Sequence, residues 1–128
     1  MRHRASLVVV AALSCAAGVV WAQTAQPRPP IQARIAVLQA LDKVTARVSR
    51  IEAPIGETVR FGTLDIVART CNQRPADEAP DTTAFLQIAD TPPDQARAVV
   101  FSGWMWANSP ALNALEHAVY DVIVLGCR

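Results

Sequence analysis

The stretch VRFGTLDIVARTC, from Val59 to Cys71, decides how the chain folds. Leu64, Ile66 and Ala68 alternate with Asp65, Val67 and Arg69. That period of two marks a strand with one face buried and the other wet. Gly62 interrupts the pattern ahead of it, as a bulge or a tight reversal between two strands does.

The segments on either side read the same way. Upstream, Ile35 to Leu41 (IAVLQAL) and Arg47 to Ile51 are β-compatible, and Asp42 to Ala46 suits a hairpin connection between them. Ala53 to Glu57 makes a turn. Downstream, Asn72 to Thr83 is a loop rich in proline and acid, and Ala84 to Ala89 (AFLQIA) is a strand broken by Thr91 to Asp94. Ala98 to Asn108 (AVVFSGWMWAN) follows, with Gly103 in its middle. Ser109 and Pro110 combine an N-cap with a proline at the first helical position. Ala111, Leu112, Leu115 and Ala118 would then form one stripe on a short helix near 110–117. Tyr120 to Leu125 (YDVIVL) closes the chain as a β-branched run ending at Cys127. The expected fold is mainly β: a small single-domain barrel or sandwich of about six to seven short strands with one short helix. A barrel is favoured, because a sandwich of this length leaves long edges to protect.

Residues 1–22 read as a signal peptide. Arg2 and Arg4 form a basic head, Ala5 to Ala22 carries no charge, and Val20, Trp21 and Ala22 make a small-residue exit before Gln23. Cleavage after Ala22 would deliver the remainder to the periplasm. Retained, the same run would anchor the protein in the inner membrane, facing the periplasm. Cys15 fits an ordinary position within this run better than an acylation site, since Leu13 precedes it by two residues instead of three. Residues 23–33 form a Pro-rich tether, and 34–128 is the expected β domain, starting near Arg34.

Cleavage would leave Cys71 and Cys127, an even pair in an oxidising compartment, and they are expected to form a disulfide. A metal site on Cys71, Cys127 and His117 would lack the close ligand pairs that build zinc sites, so neither metal nor cofactor is expected. Hydrophobic residues make up 52% of the 128 and charged residues 18%, which excludes a disordered solvating chain. With 12 Lys and Arg against 11 Asp and Glu, the chain lacks the basic excess of a nucleic-acid binder.

Three segments together resemble one family: Leu41 to Thr45, Gly56 to Leu64, and Phe101 to Met105 continuing through Ser109 to His117. With Tyr120 to Val122 and Cys127, they resemble the domain of unknown function 2155 family, found mainly in alphaproteobacteria. The likeness covers Ile35 to Arg128, and Phe101 to Met105 (FSGWM) is its specific part. It implies an exported protein without an established activity, not a particular reaction.

Few residues offer chemistry. His117 with Ser109 or Ser102, oriented by Glu116 or Asp121, would make a small periplasmic hydrolase or glycan-active enzyme. However, Ser102 and Gly103 lack the preceding glycine of a nucleophile elbow, and a histidine at the end of a helix commonly caps it. Asp77, Glu78 and Asp81 lie in a proline-rich loop without apolar surroundings to raise a carboxyl pKa. Trp104 and Trp106 share one face of a strand, with Met105 opposite. Buried, the indoles would fill the core; exposed beside Asn108, they would grip a peptide, glycan or partner protein. The expectation is a non-catalytic envelope protein, an interaction or accessory module binding a protein partner through Trp104, Met105, Trp106 and Asn108. The partner would belong to an inner-membrane complex, and membrane contact of the chain itself would come only through an uncleaved N-terminal segment.

Overall fold

A computed structural model describes residues 26–128, apart from 27, 76 and 80; the segment 1–22, expected to be a signal peptide, lies outside them. Eight strands form among the described residues: β1 (Ile31–Gln32), β2 (Ile35–Asp42), β3 (Arg47–Pro54), β4 (Thr58–Phe61), β5 (Leu64–Gln73), β6 (Thr82–Asp90), β7 (Ala98–Trp106) and β8 (Tyr120–Cys127). The mainly β reading holds, and every pairing is antiparallel. One sheet runs β5-β6-β7, with β4 and β1 sharing the free side of β5; the other is β3-β2-β8.

Local chemistry sets the turns. The Val44 and Thr45 amides donate to Asp42 Oδ1 at 2.9 and 3.1 Å, closing the β2–β3 hairpin as an Asx turn. Gly62 reverses the chain between β4 and β5 at φ 57°, and the Tyr120 ring occupies the space a Cβ would need there. The bulge in β5 lies further on, where the register with β6 shifts between Ala68 and Thr70.

Leu64, Ile66 and Ala68 point inward, as their alternation requires, and meet Leu38, Leu86, Ile88, Val122 and Val124 from the other strands. The Cys71–Cys127 disulfide ties β5 to β8 across the two sheets, with Cα atoms 5.8 Å apart. Beside it the chain passes from one sheet to the other: the Ala33 amide donates to Cys71 O, and those of Arg34 and Ile35 to Arg128 O.

Three expectations are corrected. Among the described residues the sheets do not close into a barrel, since β7 and β8 do not pair with each other. The segment between them runs past the outer edge of β7, where Asn113 Nδ2 donates to Trp104 O at 2.9 Å. Gly103 leaves room for this amide; a Cβ there would sit 2.9 Å from Asn113 Nδ2. The two-turn helix is a single 3₁₀ turn, Pro110–Leu112, in which Ser109 makes no side-chain cap and Leu112 stays exposed. Leu115 alone of the supposed stripe is buried, so the rest had no surface to cover. Finally, Ile31–Gln32 pairs with Asn72–Gln73, so ordered structure begins ahead of Arg34, inside the stretch read as tether.

The bridge closes a long loop between sheets that share no ladder. The double variant Cys71→Ala, Cys127→Ala is expected to lose roughly 4 kcal/mol of unfolding free energy by urea titration, from chain entropy alone. An unchanged midpoint would show that the bridge does not clamp the sheets.

Candidate functional site

His117 precedes β8, Asp90 ends β6 and Thr63 sits in the β4–β5 reversal; the fold brings all three together. His117 Nε2 lies 2.7 Å from Asp90 Oδ2, and Thr63 Oγ1 donates to Asp90 Oδ1 at 2.5 Å. The Val119 and Tyr120 amides donate to His117 Nδ1 at 3.0 and 3.1 Å. An Nδ1 that accepts places the ring hydrogen on Nε2, facing the carboxylate. The Tyr120 ring lies against the imidazole at 5.2 Å, and Phe61 meets Tyr120 edge-on. Burial pushes the Asp90 carboxyl upward, but hydrogen bonds from His117 and Thr63 outweigh it and hold the group below its ordinary value.

This arrangement is a tie, not a base facing a substrate. Both imidazole nitrogens are bonded within the fold, and neither Ser102 nor Ser109 is among the partners. The expected cap of a helix C-terminus falls with the helix itself. Among the described residues, no three of His, Cys, Asp and Glu converge to hold a metal ion. Asp77 and Glu78 form exposed ion pairs with Arg28 and Arg74, at 3.5 and 4.0 Å. No described helix is long and apolar enough to cross a membrane.

The tryptophans lie on the other side of the larger sheet. Met105, expected at the partner surface, is 3% exposed and belongs to the core, because its neighbours on β6 facing inward are Ala84 and Leu86. Trp104 and Trp106 therefore face outward, Trp104 exposed and Trp106 half-buried. Register places Phe85 opposite Trp104, and the rings meet edge-on at 5.4 Å. Trp106 reaches a groove of about 380 Å3 whose walls include Arg28, Asn72, Arg74 and Thr83. Asn108 is exposed just beyond the strand. Phe85 was missed as a surface residue, although the alternation of AFLQIA sets it against Ala84 and Leu86. Asp90 gave no signal, since its partner lies 27 residues away.

The depressed Asp90 pKa has a definite sign. Its charge stabilises the fold above about pH 4, the unfolded value, and that contribution fades as pH falls through the lower folded value. Asp90→Asn is expected to cost about 1–3 kcal/mol at neutral pH, with the difference from the parent shrinking below about pH 4. Urea titrations across that range check it. A deficit independent of pH would assign the loss to packing.

The profile of a family described as uncharacterized protein conserved in bacteria (DUF2155) matches residues 36–127, from within β2 to the end of β8. A relative, the uncharacterized protein RP359 of Rickettsia prowazekii (strain Madrid E), is 28% identical over 88 residues, covering 69% of this chain. The chain spans 57% of that relative's length. No solved structure matches the chain. With the match running through both sheets, the disulfide strands and the Trp104 strand, the chain belongs to the DUF2155 family.

Proposed function

We propose that this protein is an exported, non-catalytic module of the cell envelope that binds another protein through the outer face of its larger sheet. The observation that carries the reading is Trp104, an indole 38% exposed on that face and seated on Phe85. Exposed tryptophan is enriched where proteins grip one another, and costs solubility where they do not. Val99, on the same strand, adds a second exposed apolar side chain. The internal bonding of His117 and Asp90 supports a role without proton transfer.

Export is supported by the basic head and apolar run of residues 1–22 and by a disulfide, which persists in oxidising compartments. The location proposed is the periplasm, with cleavage after Ala22. If the segment is retained, the domain faces the periplasm from the inner membrane and its partner is a membrane complex.

Trp104→Ala and Trp106→Ala are expected to keep the circular dichroism of the parent, with Trp104→Ala costing about 0.5–1.5 kcal/mol through the ring contact it loses with Phe85. Each should reduce recovery of the partner from detergent-solubilised membranes, identified by mass spectrometry against the parent. Unfolding of both variants would assign the indoles to the core. A mature N-terminus at Gln23 and an active periplasmic reporter fused after Arg128 test export; a reporter active only in the cytoplasm would overturn it.

A further inference from the structure

Three arginines stand on the outer face of the larger sheet, each held through the same atom. Arg60 Nε lies 3.0 Å from Asp65 Oδ1, Arg97 Nε 3.8 Å from Asp65 Oδ2, and Arg69 Nε donates to Gln87 Oε1 at 2.7 Å. They come from β4, from the residue ahead of β7, and from the bulge of β5. The Asp65 side chain is 16% exposed, against 75% for Arg60 and 59% for Arg97. Asp65 is thus an anchor beneath two guanidinium groups, not a surface charge of its own. Among the described residues, the terminal nitrogens of all three arginines make no hydrogen bond.

A guanidinium fixed through Nε still presents both Nη groups, the fork that grips a carboxylate in two parallel bonds. Here two such cations flank the Asp65 carboxylate and a third is held by the neutral Gln87, so cations outnumber carboxylates in the cluster. Arg69 and Arg97 line a cleft of about 240 Å3 with Val67, Ala89 and Val99, and Arg60 reaches its Asp65 wall from β4. Beside the cleft, no strand among the described residues pairs with the outer side of β7, and the segment after it bonds that edge only further on, at Trp104. The backbone from Ala98 to Ser102 can therefore pair with an extended chain.

We infer that this cleft docks an acidic, extended segment of a partner protein, with carboxylates taken by Arg69 and Arg97 and an aliphatic side chain seated between Val67 and Val99. The inference rests on the protein-binding role proposed above and names the chemistry of the partner. An anionic bilayer would satisfy the charge, but it presents a plane and has no side chain to place in a cleft.

The test uses the mature chain and a fluorescein-labelled peptide alternating Glu and Val, read by fluorescence anisotropy. A Lys and Val peptide is the control, and phosphatidylglycerol vesicles, read by co-sedimentation, are the rival occupant. The acidic peptide should bind, the basic one should not, and Arg69→Gln or Arg97→Gln should weaken binding about tenfold. Arg97→Lys keeps the charge without the fork and should fall between. Asp65→Asn makes the face more cationic but releases two anchors, so it should weaken binding; tighter binding would mean diffuse charge and overturn the site. Arg69→Gln disturbs no buried group and keeps the test readable if Asp65→Asn misfolds. Vesicle binding without peptide binding, or no binding to either, would also overturn it. Partner recovery that needs Trp104 but ignores the arginine variants would overturn this site alone and leave the proposed function standing.

Discussion

The Cys71–Cys127 bond is the constraint on which the rest of this molecule depends. It joins two sheets that share no hydrogen-bonded strand, at a point where the Cα atoms come within 5.8 Å. A third of the fifteen-residue core cluster between them is alanine: Ala36, Ala40, Ala53, Ala68 and Ala84 are all fully buried. Alanines let sheets approach closely but bury little apolar area each, and a domain of this size has little area to spare. A covalent clamp supplies what such a core cannot, chiefly by restricting the unfolded chain.

The disulfide acts at one end of β8, and the Asp90–His117–Thr63 tie acts at the other. Cys127 is the last residue of β8, whereas the His117 ring bonds the amides of Val119 and Tyr120 at its start. The strand is therefore pinned covalently at its exit and by a buried polar network at its entry. A fully bonded network of this kind specifies one arrangement, since any other leaves Asp90 buried and unpaired. Both devices lie between the sheets, which leaves the outer face of the larger sheet, with Trp104 and the three arginines, free of structural duty.

Strands were legible because alternation is local. Leu64 to Arg69 declares its own two faces, and the segments around it repeat the pattern. What happens between strands was not legible. Barrel or sandwich turned on whether β7 met β8, which depends on Asn113 reaching Trp104 O over Gly103, a contact no periodicity encodes. The Ser109-Pro110 signal is good helix chemistry, yet only Leu115 found something to pack against, and tertiary context overrode it. Trp104 and Trp106 were correctly placed on one face. Which face was inside needed the register with β6, where Ala84 and Leu86 claim the core and carry Met105 with them. Arg60, Arg69 and Arg97 are scattered along the chain and become neighbours only through strand pairing, so no motif announced them.

The exchange of amides between Ile35 and Arg128 sets the first residues of β2 directly beside the end of β8. Mechanical load applied across these two points would act in peeling geometry, opening the β2–β8 ladder one hydrogen bond after another from that end. On β8 the peel meets Cys127 after a single residue, and the force passes through sulfur into β5 at the heart of the larger sheet. Tension along this chain is thus borne by a covalent path almost as soon as it is felt.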